Sequence, residues 1–158
     1  MEHRNDPNTA RYGLTTAEHP HLYVKPVRIQ TARAFAAWIQ HSPAALADAE
    51  IVLGVETGPG TLTGVVFAGS PVSWRHDDGH TAEITCLATG STPDADAALL
   101  DAVWQVARGR GYQRLIADTR LIRPGGEGSA LHTAGFRPLP VQRGSGAVWE
   151  IRTAGGGR

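Results

Sequence analysis

The residues best suited to chemistry cluster between His76 and Ala95 of a 158-residue chain. Thr89-Gly90-Ser91-Thr92-Pro93 ends an alternating run and precedes a helical one, so Gly90–Ala95 spans a strand-to-helix turn. The first N–H groups of a helix have no partner within it and face outward, which suits them to an anion. Thr92 fits the cap, and Pro93 fits the first helical position, which needs no N–H partner. Asp94 and Asp96 fall in the first turn, where the helix dipole favours each carboxylate by about 0.3–1 kcal/mol. The same two charges would oppose a bound phosphate, by roughly 1 kcal/mol each if solvated. Arg120 and Arg123 follow a later strand and could meet a phosphate, although solvated loop arginines are the plainer reading. Glu83 is a candidate general base. A glutamate titrates near ~4.3 in water and must be raised to work near neutrality, which burial can do. His80, with an ordinary value near ~6.5, is a second candidate. His76-Asp77-Asp78-Gly79-His80 has metal-ligand residue types, but no third strong ligand is close in sequence, so no metal is expected. Cys86 lies in an apolar strand and reads as core.

These residues need a scaffold. Ala82–Ala88 alternates, which predicts Ala82, Ile84, Cys86 and Ala88 on one face and Glu83, Thr85 and Leu87 on the other. After the turn, Leu99, Leu100, Val103, Val106 and Ala107 form a stripe at helical spacing, stopped by Gly109 and Gly111. Arg114–Thr119 is a second strand. Beyond a Gly/Pro loop, Ser129–Phe136 holds a short helix closing on Gly135-Phe136. Upstream, Met1–Leu22 is polar and aperiodic, and reads as a flexible tail or as an arm on a partner subunit in a homodimer. Tyr23–Ile29 reads as an edge strand because of Pro26. Thr31 is the expected cap of a helix over Ala32–His41 with Ala34, Phe35, Trp38 and Ile39 on one face, and Pro43–Ala49 starts a short second helix. Glu50–Thr57 and Leu62–Ala68 form a hairpin, Pro71–His76 continues or bends that strand, and Asp77-Asp78-Gly79 turns back. Arg137–Arg143 and Ala147–Arg152 are the last strands, before a flexible Gly-rich end, Thr153–Arg158. Trp38, Trp74 and Trp149 are expected to pack, with Trp74 also placed to border a cleft.

Composition sets limits. A hydrophobic content of 41% gives one globular domain, expected over residues 23–152, with a substantial core. The net charge is zero, so no global field draws the chain to nucleic acid. A single cysteine excludes an internal disulfide and a cysteine-rich zinc site. No apolar run is long enough for a membrane span, and the N-terminus has no apolar signal core, so the expected location is the cytoplasm.

Strand, phosphate-type loop, long helix, strand, short helix and Gly-Phe, in that order, resemble the core of the GNAT superfamily of acyl-CoA-dependent N-acetyltransferases. GVVFAGSPVSW, DDGHTAEITCLATGSTPDADA, GYQRLIADT and GSALHTAGF resemble more narrowly a group of short GNAT-like proteins of phages and actinobacteria. The resemblance runs from about Tyr23 to Ile151. It implies an α/β (α+β) fold: a twisted mixed sheet, mostly antiparallel, with one parallel central pair and helices on both faces. It implies acetyl-CoA as co-substrate, held by Leu87, Ala88, Thr89, Gly90, Ser91, Thr92, Asp94 and Ala95 with Arg120 nearby, and Glu83 as base acting through water.

The chain departs from the family in two places. Aligned on Leu99-Leu100, the pattern Gln/Arg-x-x-Gly-x-Gly/Ala falls on Ser91, Asp94 and Asp96, so neither glycine is kept. The family's tyrosine acid falls on Leu131, which leaves Ser129, His132 or Thr133 to substitute. A thiol value near ~8.5 also lets a thiolate leave without an acid. Three functions are compatible with this pattern. The first is acetyl transfer to a small-molecule amine. The second, favoured by the acid pair in the loop, is a GNAT-fold binding or regulatory protein without catalysis. The third is a nucleic-acid base modifier of the phage type, against which the neutral charge argues.

Overall fold

The computed structural model describes residues 21–40, 49–58, 60–118, 129–139 and 148–153. Seven strands form one sheet: β1 (Tyr23–Pro26), β2 (Ile51–Glu56), β3 (Leu62–Gly69), β4 (Thr81–Thr89), β5 (Arg114–Asp118), β6 (Arg137–Pro138) and β7 (Val148–Arg152). Their spatial order is β1-β2-β3-β4-β5-β7-β6. Every neighbouring pair is antiparallel except β4 and β5, which are parallel. The described helices are α1 (Ile29–Gln40), α2 (Ala95–Gly109) and α3 (Ser129–Thr133). This is the expected mixed sheet with helices on both faces.

Each helix face selects one side of the sheet. The stripe Leu99, Leu100, Val103 and Val106 packs against Leu53, Val66, Ala68, Ile84 and Leu115. On the other side Ala32 and Ala36 of α1 pack against Val65, Phe67, Cys86 and Ala88. Strand β3 is therefore apolar at successive positions: Val65 and Phe67 serve one core, Val66 and Ala68 the other. A strand covered on both faces loses the polar half of its alternation.

Two irregularities break the expected period. Phe67 is paired with Cys86 and Ala68 with Ile84, so Thr85 is an extra residue in β4. Such a bulge reverses the parity of the residues after it. Ala82 and Ile84 face α2, but Cys86 and Ala88 face α1, and Leu87 joins the α2 core. The single-face alternation expected across Ala82–Ala88 thus holds only as far as Ile84. Val55 is paired with Gly64 and Glu56 with Leu62, which makes Thr63 a second extra residue, in β3.

Other expectations shift in detail. Helix α1 begins at Ile29, so Thr31 lies inside it and is not its cap. Its buried positions are Ala32 and Ala36, whose small side chains let the helix lie close to the sheet, while Trp38 is 70% exposed. Pro71–His76 does not extend β3: Ser73 caps a single 3₁₀ turn, Trp74–His76, and Trp74 is 82% exposed. Of the three tryptophans expected to pack, only Trp149 does so, against the α2 core. Leu22, assigned to the tail, is buried in that same core. Residues 1–20, residues 43–48 of the expected second helix, and residues 154–158 lie outside the described residues.

Gly64 marks where β2, β3, β4 and α2 meet. A Cβ there would lie 2.8 Å from Thr89 Cγ2, 3.1 Å from Leu99 Cδ1 and 3.1 Å from Val55 Cγ1. The β-branched neighbours have little rotamer freedom with which to yield. Gly64→Ala should therefore destabilise the fold by about 1–3 kcal/mol, measured by urea unfolding. A change within about 0.3 kcal/mol, roughly the error of such comparisons, would show that the junction has slack.

Candidate active site

The β4–β5 ladder is short. Thr81, Ala82, Glu83 and Ile84 pair with Arg114, Leu115, Ile116 and Ala117, and the pairing stops there. From Thr85 to Thr89 the β5-facing edge of β4 pairs with no strand among the described residues. The N–H and C=O groups of such an edge suit water or an extended ligand. Leu87 and Ala88 bury their side chains in the two opposite cores, so only their backbone can meet such a ligand.

The strand then enters the turn before α2. Thr63 holds that turn: its carbonyl accepts from Gly90 N–H at 2.9 Å, and its hydroxyl bonds the Thr92 hydroxyl. Thr92 is thus committed to β3 and does not cap the helix. Helix α2 starts at Ala95, two residues later than Pro93, with Asp94 at the cap position and no side-chain cap bond. Asp94 has φ 66°, a left-handed conformation that a non-glycine residue adopts at a cost of about 1–2 kcal/mol, less for Asp than for most. The second carboxylate, Asp96, reaches back to accept the Thr89 hydroxyl. Among the described residues, the N–H groups of Ser91, Thr92, Asp94 and Ala97 donate to no backbone carbonyl. Ser91, Pro93 and Asp94 are exposed, so this start of a 15-residue helix is open to solvent.

Glu83 stands beside the point where the strands part. It is 4% exposed, and its Oε1 accepts Val72 N–H at 2.8 Å. Burial raises its carboxyl above the ordinary range; the Val72 N–H draws it partly back, and the Asp118 carboxylate pushes it up again. Asp118 ends β5 and is itself buried. Further along the same face, Arg114 donates to His76 Nδ1 at 3.0 Å and pairs with Glu150 at 3.4 Å, while Arg152 bonds Glu150 at 3.0 Å. Burial, then the Arg114 charge, lowers His76.

The remaining candidates separate. His80 is exposed on the hairpin turn, its N–H bonded to Asp78 and its carbonyl to Gln113 and Arg114 N–H groups. The His76 ring is bonded by Arg114, and no three metal-ligating side chains come together among the described residues. Ser129 opens α3, but its side chain is outside the description, as are Arg120 and Arg123. Leu131 is buried beside α2, and His132 and Thr133 are exposed. Cys86 is buried in the α1 core, as its apolar strand implied. Thr63 and Asp118 went unpredicted. Asp118 ends a parallel strand, the place where ligands approach α/β sheets, and that rule could have found it.

Comparison with solved structures decides the fold. An acetyltransferase of the GNAT family from Streptococcus pneumoniae superposes with a TM-score of 0.58 at 15% identity, over 83% of this chain and 98% of its own. This is the GNAT fold. A ribosomal-protein-alanine N-acetyltransferase from Brucella melitensis gives 0.59 at 17% identity, over 83% of this chain and 99% of its own. The yncA protein of Salmonella typhimurium, solved with its cofactor acetyl-CoA, gives 0.56 at 16% identity, over 84% of this chain and 94% of its own. No family model and no curated protein matches the chain. Among the described residues, no helix of this GNAT-fold chain is long and apolar enough to cross a membrane.

The raised Glu83 carboxyl has a sign that stability measurements can read. Between the ordinary glutamate value and the raised one, the folded chain keeps a proton that the unfolded chain has lost. Its contribution is therefore full below the unfolded value and is lost as pH rises through the folded one. Glu83→Gln keeps an acceptor for Val72 N–H and removes this loss. The variant's Tm should match the parent near about pH 4 and exceed it near about pH 8. A difference independent of pH would show that Glu83 titrates normally.

Proposed function

We propose that the protein transfers an acetyl group from acetyl-CoA to an amine of a small molecule. The observation that carries this is the placement of a buried Glu83, its carboxyl raised, near the end of the β4–β5 ladder, beside a strand edge without a strand partner among the described residues that leads into an open helix start. The backbone fits the donor. The free edge of β4 suits the amide-bearing arm of coenzyme A. The N–H groups of Ser91, Thr92, Asp94 and Ala97, which meet no backbone carbonyl, suit its pyrophosphate. Asp94 keeps the left-handed turn although the family's glycine is absent. Acetyl-CoA supplies the activated acyl group: the thioester C–S bond breaks as the amide N–C bond forms, and the thiolate leaves. The amine must lose a proton to expose its lone pair, and the Glu83 carboxylate takes it, directly or through one water. The fold's resemblance to enzymes that acetylate amines supports this reading, and the residues carry it.

The carboxylates of Asp94 and Asp96 favour a second reading, a GNAT-fold protein that binds a ligand without turnover. Thermal shift and kinetics separate the two. Acetyl-CoA at about a hundred times its Kd should stabilise the folded chain by about 2.7 kcal/mol. With an accepted amine, Glu83→Gln should lower turnover at least tenfold, since general-base assistance is typically worth about 10²–10⁴-fold, and should abolish the acid limb of the pH–rate profile. Stabilisation by acetyl-CoA without turnover of any amine would favour the binding protein; absence of both would sink the donor assignment.

Asp94→Gly tests the turn. It relieves the left-handed strain but gives up the helix-dipole contribution of the carboxylate and adds chain freedom to the unfolded state, so the stability of the free protein should change by less than about 1 kcal/mol. It also removes a carboxylate from beside the phosphates, so acetyl-CoA should bind more tightly. Weaker binding in this variant would mean that Asp94 contacts the donor favourably.

A further inference from the structure

We propose that His76 is a positioning residue for the proposed transfer: by accepting a hydrogen bond from Arg114, it holds the connector after β3 against the sheet, and the connector's Val72 N–H in turn aims the Glu83 carboxyl. The connector runs from Ser70 to His80 and crosses the sheet face that carries Glu83 and Arg114. Apolar burial does not hold it there, since Val72 is 72% exposed and Trp74 82%. Among the described residues, two hydrogen bonds tie its stretch from Val72 to His76 to the sheet. Val72 N–H donates to Glu83 Oε1 at 2.8 Å, and Arg114 donates to His76 Nδ1 at 3.0 Å. Between the two ties lies the single 3₁₀ turn, closed by His76 N–H on the Ser73 carbonyl at 3.0 Å. A closed turn fixes the dihedrals between its ends, so holding His76 also holds the chain at Val72.

The far end of these contacts is anchored in β7. Arg114 pairs with Glu150 at 3.4 Å, and Glu150 also holds Arg152 at 3.0 Å. Glu150 is buried, so water screens the pair poorly. A guanidinium has only N–H donors, so His76 Nδ1 must present a lone pair and the imidazole proton sits on Nε2. The charged groups around the ring are Arg114 on β5, Glu150 on β7, and Arg75 and Asp78 on the connector itself. Burial, then the Arg114 charge, favour the neutral ring, which is the form that can accept. At the other end, the Val72 N–H holds Oε1, which orients the Glu83 carboxyl and with it Oε2. A base works only within hydrogen-bond reach of the proton that it takes, so its direction matters as well as its affinity. The line Glu150, Arg114, His76, Val72, Glu83 spans three strands, and His76 is the side chain through which the connector joins it.

His76 has this role only if the proposed acetyl transfer is the reaction, and the test keeps the two apart. Nitrogen and carbon NMR follow the Val72 amide and the Glu83 carboxyl through a pH titration of the full chain, His76→Leu and His76→Asn. The pH–rate profile is measured alongside, with acetyl-CoA and an accepted amine. Asn carries an amide oxygen where His76 has Nδ1, and Leu has nearly the shape of Asn without an acceptor. His76 is part of neither apolar core, so both variants keep the cores intact. In the unaltered chain the Val72 amide shift should follow the Glu83 titration. In His76→Leu that response should be lost, and the Glu83 midpoint should move to higher pH, since the N–H favours the ionised carboxyl. The acid limb should move with it. Turnover above the limb should fall about two- to tenfold, the worth of one hydrogen bond, with KM for acetyl-CoA unchanged. His76→Asn should restore the NMR response and most of the rate. A Val72 amide that still follows Glu83 in His76→Leu overturns the inference, as does a lost response with unchanged turnover. An Asn variant that behaves like the Leu variant overturns it too, because the accepted bond is then not what acts. Should the unaltered chain transfer acetyl to no amine, the proposed reaction fails and the positioning role falls with it, while the Val72 response still shows whether His76 holds the connector.

Discussion

Parallel strands share hydrogen bonds only while they run side by side, and β4 and β5 do so for four residue pairs. The extra Thr85 lies directly after the last of them. β5 ends at Asp118, one residue past the last pair, while the antiparallel ladder to β3 continues to Thr89. A bulge bends its strand and increases its local twist, and this one falls where the parallel ladder ends. Beyond it, β4 runs on to the start of α2 paired, among the described residues, with β3 alone. The bulge also exchanges the two faces of β4, so the strand can serve the α2 core before it and the α1 core after it. One inserted residue thus keeps both cores filled where the parallel ladder ends.

The second bulge, at Thr63, fixes where the opening leads. The Thr63 carbonyl extends the β3–β4 ladder by one bond, to Gly90, and its hydroxyl ties Thr92 to the sheet. With Thr89 bonded to Asp96 as well, the turn is anchored by side chains on both sides of it. Among the described residues, four of its amides meet no backbone carbonyl, and Ser91 and Asp94 are exposed. A preorganised set of N–H groups loses little entropy when an anion arrives, which is the physical advantage of holding the turn this way.

The strands and helices were legible because their periods were. The stripe from Leu99 to Ala107 marked α2, two short apolar runs on either side of Gly58-Pro59-Gly60 marked the β2–β3 hairpin, and Pro26 marked β1 as an edge strand. The bulges were not legible. Thr63 and Thr85 are β-branched residues at home in any strand, and only the pairing partner shows that one residue is supernumerary. The same limit explains Thr92. A threonine before Pro93 has the local signature of a helix cap, but a hydroxyl 29 positions upstream in the chain competes for it and wins. Trp38 and Trp74 failed for different reasons: Ala32 and Ala36 form the face that α1 lays on the sheet, which leaves Trp38 outside, and Trp74 lies on an exposed 3₁₀ turn where a continued strand was expected. Glu83 was singled out from its residue type and place, but its burial and its bond to Val72 N–H come from the connector after β3 folding over it, which is a long-range property.

Acidic residues occupy both ends of the site with opposite physical consequences. At the start of α2, Asp94 and Asp96 complement the helix dipole and so favour the folded chain, yet any phosphate held by the same amides would meet their charge. The backbone at Asp94 is left-handed, a shape that does not depend on the charge of its side chain. Shape and charge are therefore separable at this turn: backbone N–H groups set where an anion goes, and side chains set how strongly it stays. On β4, burial raises the Glu83 carboxyl, so its ionisation costs the folded chain stability as pH rises. The fold can carry that cost because Glu83 lies in a ladder whose cores, on both faces, are apolar and closed.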